Sequence, residues 1–598
     1  MSVHTSLNCL SSVVLVCIFL RRLRPKFRKR SRTMDIGELL AFQPDKPNLK
    51  RRRGNEDDNN EQGDDGIKAS LPSKMKGRQG KAEAAAPEGG MTEEEREKIL
   101  KMVDQEPEMP GLDDTSLRKL ILSFEKKVYR NQEMRIKYPD NPEKFMESEV
   151  DLNDTVQELH VIATNPDMYH HLVELNAIKS LLQLVTHENT DISIGVIDLL
   201  HELTDVDTLN ESEDSAGALV DALLDEQIVA TLVQNMERLD EGVKEESEGI
   251  HNTLGIVENM TEFRPEMCAE AAQQGLMQWL LKRLKPKVQF DANKLYCSEI
   301  LAIILQDTQE NRELLGELEG IDTLLQQLAV YKRHDPTSTE ENEMMENLFN
   351  CLCSALMLPS NKGRFLRGEG VQLMNLMLRE KKLSRHSALK VLDHAMTGAE
   401  GAENCTKFID ILGLRSLFPL FMKTPKIGKK GSSAQEHEEH VCSIMAALLK
   451  NCSGTHRQRL INKFTESDHI KVDRLMELHF NYLNRVQVCD DRIERERQRR
   501  AREGDIIDDD QEDEYYLRRL DAGLFTLQLV DYIILDLSCS SGVLPIKQRV
   551  LQLLNMHGGT ISAIRNTVRE YAGNIGDENN QDSASVERER LLTLVDKF

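Results

Sequence analysis

The chain has 598 residues, of which 39% are hydrophobic, 5% aromatic and 30% charged. One Trp, 17 Pro and 33 Gly exclude collagen-like and mucin-like classes and point to a helical protein with a large solvated surface. The 77 basic residues against 101 acidic ones leave a formal net charge of -24, which repels phosphate backbones and suits basic partners, so no direct nucleic-acid binding is expected.

In chain order, the first feature is an apolar run from Leu7 to Leu20 followed by a cluster of arginines and lysines. The run is shorter than the ~20 residues a membrane span needs, and its positive charge follows the run where a secretory signal carries it before. No membrane association is expected, and residues 1 to 33 read as an upstream extension of a chain whose soluble start is Met34. The whole of 1–112 reads as a disordered tail, too polar to bury a core. Within it, Lys46, Lys50, Arg51, Arg52 and Arg53 form a cluster with the composition of a nuclear-localisation signal, which implies the nucleus.

Folded sequence begins near Leu117, where Leu117, Leu120, Ile121 and Phe124 recur at helical spacing before Pro139 stops the pattern. Residues 113–165 read as an N-terminal helical cap. From 166 to 453 an aliphatic residue follows a short break once per unit, at Ile178, Ile228, Leu276, Ile321, Val371 and Leu414. The spacings of 50, 48, 45, 50 and 43 fit helical repeats of the armadillo and HEAT class, whose units bury their apolar faces only by stacking. The expected fold is an all-α, armadillo/HEAT-type right-handed α-solenoid with helical N- and C-terminal caps. Asn176-Ala177-Ile178, Glu319-Gly320-Ile321 and Glu369-Gly370-Val371 read as corners where a small residue lets helices approach closely. Third helices of the units are expected from Asp191 to Asp205, Lys244 to Glu262, Asp291 to Asp307, Thr339 to Leu358, Ser384 to Thr397 and Gln435 to Lys450.

Residues 454–598 read as a C-terminal helical region. It is interrupted near 492–514 by a charged insertion, six arginines followed by seven acids, that reads as a mobile, solvated loop.

Chemistry-bearing motifs are missing from the sequence. The eleven cysteines show no C-x2-C spacing, as expected of buried thiols in a reducing compartment. Phosphate-cradling glycine loops, G-x-S-x-G and H-E-x-x-H do not occur. His437 and His440 lack a third ligand, and the adjacent His170 and His171 are expected to point to different faces. No enzyme activity, cofactor or metal is expected.

The runs YPDNPEKFMESEVDLND (Tyr138 to Asp154), HNTLGIVENMTEFRPEMC (His251 to Cys268), FDANKLYCSEILAIILQD (Phe290 to Asp307) and YYLRRLDAGLF (Tyr515 to Phe525) closely resemble the catenin-beta-like family, nuclear armadillo proteins associated with the spliceosome. The resemblance implies a non-catalytic scaffold in pre-mRNA splicing. Its implied partners are a Prp19-type complex with the cell-division-cycle-five-like protein and the antibody-diversifying cytidine deaminase, with a second copy of the chain as a further candidate. Armadillo transport receptors read basic peptides with a Trp and an Asn one turn apart on third helices. Here those positions fall on Asp198 and Glu202, on Gly255 and Asn259, and on Lys390 and His394, while the single Trp, Trp279, lies on a second helix. An importin-like transport receptor is therefore the second reading. The first is a groove whose acids, Asp198, Glu202, Asp205, Glu258 and Glu262, with Asn259 between them, form a negative strip for Lys/Arg-rich segments.

Overall fold

A computed structural model describes residues 113–425, 434–503, 508–540, 544–575 and 581–598. Every element among the described residues is helical. An N-terminal pair, α1 (Asp114–Lys137) and α2 (Pro142–Leu159), comes first. The repeat units follow: α3 (His170–Glu174), α4 (Ala177–Val185) and α5 (Thr190–Leu203); α6 (Val206–Glu211), α7 (Glu213–Asp225), α8 (Ile228–Arg238) and α9 (Lys244–Phe263); α10 (Cys268–Ala271), α11 (Met277–Arg283) and α12 (Ala292–Gln306). Next are α13 (Gln309–Glu317), α14 (Gly320–Leu328) and α15 (Thr339–Ala355); α16 (Pro359–Arg367), α17 (Gly370–Arg379) and α18 (Arg385–Met396); α19 (Ala402–Asp410), α20 (Leu414–Met422) and α21 (Ala434–Asn451). The chain closes with α22 (Gly454–Thr465), α23 (Ile470–Glu503), α24 (Asp509–Asp521), α25 (Leu524–Cys539), α26 (Leu544–His557), α27 (Ile561–Gly573) and α28 (Gln581–Lys597).

Local chemistry sets the helix starts. The Asp113 carboxylate caps α1 by accepting from the Ser116 N–H at 3.0 Å, and Pro142 opens α2, where its missing N–H costs nothing. The third helices α5, α12 and α15 begin at Asn189, Asp291 and Ser338, each of which accepts a backbone N–H of the first turn. Those helices stack in sequence: α2 on α5, α5 on α9, α9 on α12, α12 on α15, α15 on α18, α18 on α21, and α21 on α25. The architecture is the expected all-α solenoid, and this stack is the layer that lines the concave face of an armadillo array.

The corners differ in detail from the expectation. The left-handed residue is the one before the small residue: Asn176 (φ 58°), Glu319 (56°), Glu369 (60°) and Leu412 (63°). The small residue that follows is there for space. A Cβ on Gly320 would lie 2.4 Å from Leu315, one on Gly370 2.3 Å from the Phe365 ring, and one on Gly413 2.5 Å from the Phe408 ring. In each case the obstacle is the buried side chain five residues earlier, which anchors the first helix. Gly370→Ala is therefore expected to destabilise the chain by about 1–3 kcal/mol, because the fully buried Phe365 ring would have to shift within the core. Gly573→Ala, where a Cβ meets nothing within 4 Å among the described residues, should be neutral. Urea midpoints of the two variants check this.

Neighbouring units are also stitched through buried asparagines on first helices. The Asn311 side-chain amide donates to the Cys268 and Ile304 carbonyls at 2.8 Å each. Asn361 donates to Arg312 (2.8 Å) and Ala355 (3.0 Å), and Asn404 to Lys362 (3.3 Å) and Ala395 (3.0 Å). Each amide thus satisfies a carbonyl near the end of the third helix before it and one on the preceding unit's first helix.

Among the described residues, the charged stretch near 492–514 is helical rather than the mobile loop that its composition suggests. Arg492 through Arg502 continue α23, a helix of 34 residues, and the acids from Asp509 begin α24. Arg518 pairs with Glu496 at 2.9 Å, Arg519 with Asp490 at 2.7 Å, and Arg497 with Glu512, while Arg497 and Arg518 both lie over the Tyr515 ring. Opposite charges on facing helices neutralise one another, so paired helices stand where a solvated stretch was expected. The apolar helix α25 is buried nearly throughout and packs on α21, α23, α26, α27 and α28. Among the described residues no single helix is long and apolar enough to cross a membrane.

Candidate functional site

Helices α5 and α9 position the expected groove residues. On α5, Ile192, Val196, Leu199, Leu200 and Leu203 turn into the core, which leaves Asp198, His201 and Glu202 together on the opposite face at three- and four-residue spacing. On α9, Ile250, Leu254, Val257 and Met260 are buried, while Glu258 and Asn259 are half-buried and Glu262 is exposed. Because α5 and α9 pack side by side, the two sets adjoin.

The acids do not stand free. The Asn252 side-chain amide donates to Asp198 Oδ1 at 2.7 Å, joining α9 to α5. Glu202 Oε2 lies 2.7 Å from His160 Nδ1, next to the end of α2. The Tyr296 hydroxyl of α12 donates to Glu258 Oε2 at 2.5 Å. Burial pushes the Glu258 carboxyl above the usual carboxylate range, the Tyr296 hydrogen bond opposes this, and the nearby Glu262 charge adds to it. The Tyr296 phenol is in turn pushed up by burial and by Glu258. Asp205 is elsewhere engaged: it accepts from the backbone of Asp207 (3.0 Å) and Thr208 (3.3 Å) and so caps α6. Among the described residues, Glu262 alone of the acids has no hydrogen bond or ion pair, and Asn259, one turn before it, has no side-chain hydrogen bond.

The same device recurs along the stack. Ser387 of α18 donates to Glu346 of α15 at 2.7 Å, Ser443 of α21 to Asp393 of α18 at 2.5 Å, and Thr526 of α25 to Glu439 of α21 at 3.1 Å. Burial pushes the carboxyls of Glu346 and Glu439 up. The strip is therefore a series of rungs in which an acid on one third helix accepts from a hydroxyl or amide on the next. Of the rung acids only Asp198 and Glu258 were legible in the sequence as groove residues; Glu346, Asp393 and Glu439 were not, nor were the donors Asn252, Tyr296, Ser387, Ser443 and Thr526. The available signal was a polar donor recurring 38 to 54 residues after its acid in the repeat region.

Trp279 is a core residue of α11, only 6% exposed, and so is not a peptide-sandwiching ring on the third-helix face. The cluster Lys46, Lys50, Arg51, Arg52 and Arg53 lies outside the described residues.

Residues 97–569 match the family model described as "Catenin-beta-like, Arm-motif containing nuclear". The chain is 61% identical over 569 residues to Beta-catenin-like protein 1 of Rattus norvegicus, covering 94% of this chain and 100% of that protein. It is 66% identical over 488 residues to the Homo sapiens protein of the same name, covering 81% and 86%. A more distant relative is the Beta-catenin-like protein 1 homolog of Schizosaccharomyces pombe, at 30% identity over 508 residues, covering 83% and 86%. An armadillo-type stack of third helices and a family match across most of its length lead to one conclusion: this chain belongs to the catenin-beta-like family of Arm-motif proteins.

Proposed function

We propose that the chain is a non-catalytic nuclear scaffold whose third-helix face holds Lys/Arg-rich segments of partner proteins within a splicing-associated assembly of the Prp19 type, the cell-division-cycle-five-like protein among them. The observation that carries this reading is the adjoining of Asp198, Glu202, Glu258 and Glu262 on neighbouring third helices, with Asn259 between them. Glu262 is exposed and has no ion pair among the described residues, and the Glu202 side chain is 53% exposed. A cationic segment laid along this face meets carboxylates at successive steps, and Arg or Lys forms its strongest hydrogen bonds with such groups. The net charge of -24 favours encounter with cationic segments. The family description as nuclear and Arm-motif containing supports the compartment and the repeat scaffold.

The rungs decide which residues test this. Reversing Asp198 would break its bond to Asn252 and confuse structure with charge, whereas Glu262 has no partner to lose among the described residues and Glu202 loses a contact with His160 that a Glu202→Gln control retains. Glu202→Lys with Glu262→Lys is expected to weaken binding of a Lys/Arg-rich partner peptide by more than about tenfold, with helical content unchanged. Raising the salt should also weaken binding of the unaltered chain, because the screening length shortens from ~10 Å at 0.1 M. Fluorescence anisotropy with a labelled peptide reads both effects. Affinity indifferent to the reversal and to salt would place partner binding elsewhere. Recovery of no splicing factors from nuclear extract would remove the assembly from the account.

A further inference from the structure

We propose that the short helix α3 and its surroundings form a site for a divalent transition-metal ion, with His170, His171 and Glu174 as ligands and zinc as the occupant of matching softness. His170 and His171 do not point apart, as adjacent helical residues were expected to. Their ring centroids lie 4.0 Å apart, and with Glu174 each residue offers one ligand atom, all within 4.8 Å of one another.

Three features point to an ion rather than to chance proximity. His171 is 1% exposed, yet among the described residues neither of its ring nitrogens makes a hydrogen bond. Nδ1 lies 3.5 Å from Glu174 Oε2 and Nε2 lies 3.4 Å from Asp114 Oδ1, so the ring sits between two carboxylates. His170 Nδ1 lies 2.8 Å from the Asp167 carbonyl, which can only accept; this fixes the proton on Nδ1 and leaves the Nε2 lone pair available. An outer-shell carbonyl or carboxylate on the far nitrogen is the arrangement that metal-binding histidines use to set tautomer and orientation. With His171 Nδ1 turned to the ion, Asp114 would play that part for its Nε2.

Two imidazoles and one carboxylate favour zinc or a related transition ion over calcium or magnesium, which prefer oxygen ligands. Glu174 is half-exposed, so a water can fill the fourth position; Arg118, 3.2 Å from Glu174 Oε2, is the group an ion would have to displace or share. A four-coordinate ion with bonds of about 2.0–2.2 Å holds its ligand atoms about 3.3–3.6 Å apart, so atoms now within 4.8 Å of one another would close by up to about 1.5 Å on binding it. Because α3 packs against both α1 and α7, an ion there would fasten the N-terminal pair to the first repeats.

The test uses the full chain, freed of metal by a chelator and titrated with zinc chloride by calorimetry, with cobalt(II) absorption as a second readout. One equivalent is expected to bind, to raise the unfolding temperature, and to give the intense visible bands of four-coordinate cobalt. His170→Ala and Glu174→Gln alter exposed or half-exposed side chains and leave the buried His171 in place, so both should fold with unchanged circular dichroism. Each should lose more than about tenfold in affinity and the zinc-dependent rise in unfolding temperature. No uptake by the unaltered chain, or uptake equal in both variants, would overturn the proposal; the latter would move the ion to another histidine cluster.

Discussion

Lowering the pH from 7 to 5 is expected to destabilise the α18–α21 region, on the order of 1–2 kcal/mol for each of three histidines. His386 is pushed down to about 3, by burial first and then by the neighbouring His440, His437 and Lys390 charges. His394 is pushed down to about 3 and His437 to about 4, burial leading in both. All three stay neutral in the folded chain while their unfolded counterparts take up protons below about 6.5, so stability is full above that pH and is lost as the pH falls towards 4. Buried carboxyls act in the opposite sense. Glu346 and Glu439 are pushed up by burial, and they hold protons in the folded state that the unfolded chain has released, which adds stability as the pH falls through their folded values. Variants separate the two effects. His386→Gln and His437→Gln should flatten the loss in unfolding temperature between pH 7 and 5, and Glu346→Gln should stabilise at pH 8 more than at pH 5. Identical pH profiles for all four proteins would contradict this assignment.

His479→Ala should destabilise the C-terminal region by about 3–5 kcal/mol. His479 Nδ1 and Asp531 Oδ1 are 2.5 Å apart, and both side chains are 0% exposed where α23 packs on α25. Burial already pushes the Asp531 carboxyl up, with His479 and then a Thr567 hydrogen bond opposing it, so removal of the imidazole strips a buried carboxyl of its main partner. Replacing both residues by apolar ones of similar size should cost less than the single change, since no polar group is then stranded. Denaturant midpoints measure both. A single variant within about 0.5 kcal/mol of the unaltered chain would show that the pair carries no weight.

The third helices were legible because each combines an N-terminal polar signal with an apolar face at helical spacing: the stretch expected from Lys244 to Glu262 is Lys244–Phe263, and that from Thr339 to Leu358 is Thr339–Ala355. The corners were legible as positions but not as conformations. Nothing in a glutamate says that it must be left-handed at 319 and 369, and the need for Gly370 comes from the Phe365 ring folded back over it. The Arg-rich and acidic stretches around 500 read as solvated because composition does not reveal that Arg518 and Arg519 face Glu496 and Asp490 across two helices. In the groove, the acids were visible as residue types, while their engagement depends on donors a whole unit away. The meeting of His170 and His171 was hidden because helical geometry alone places neighbouring side chains apart.

The central claim is that partner segments lie along the third-helix face. Site-specific photo-crosslinking in the full chain tests it most directly, with a benzophenone side chain placed at Asn259 on α9 and, in a separate protein, at the exposed Glu317 on the first helix α13. A Lys/Arg-rich partner segment is expected to crosslink at 259 and not at 317, and to lose the 259 crosslink when Glu202 and Glu262 are reversed to lysine. Crosslinking confined to 317, or equal at both positions and indifferent to the reversal, would contradict the account.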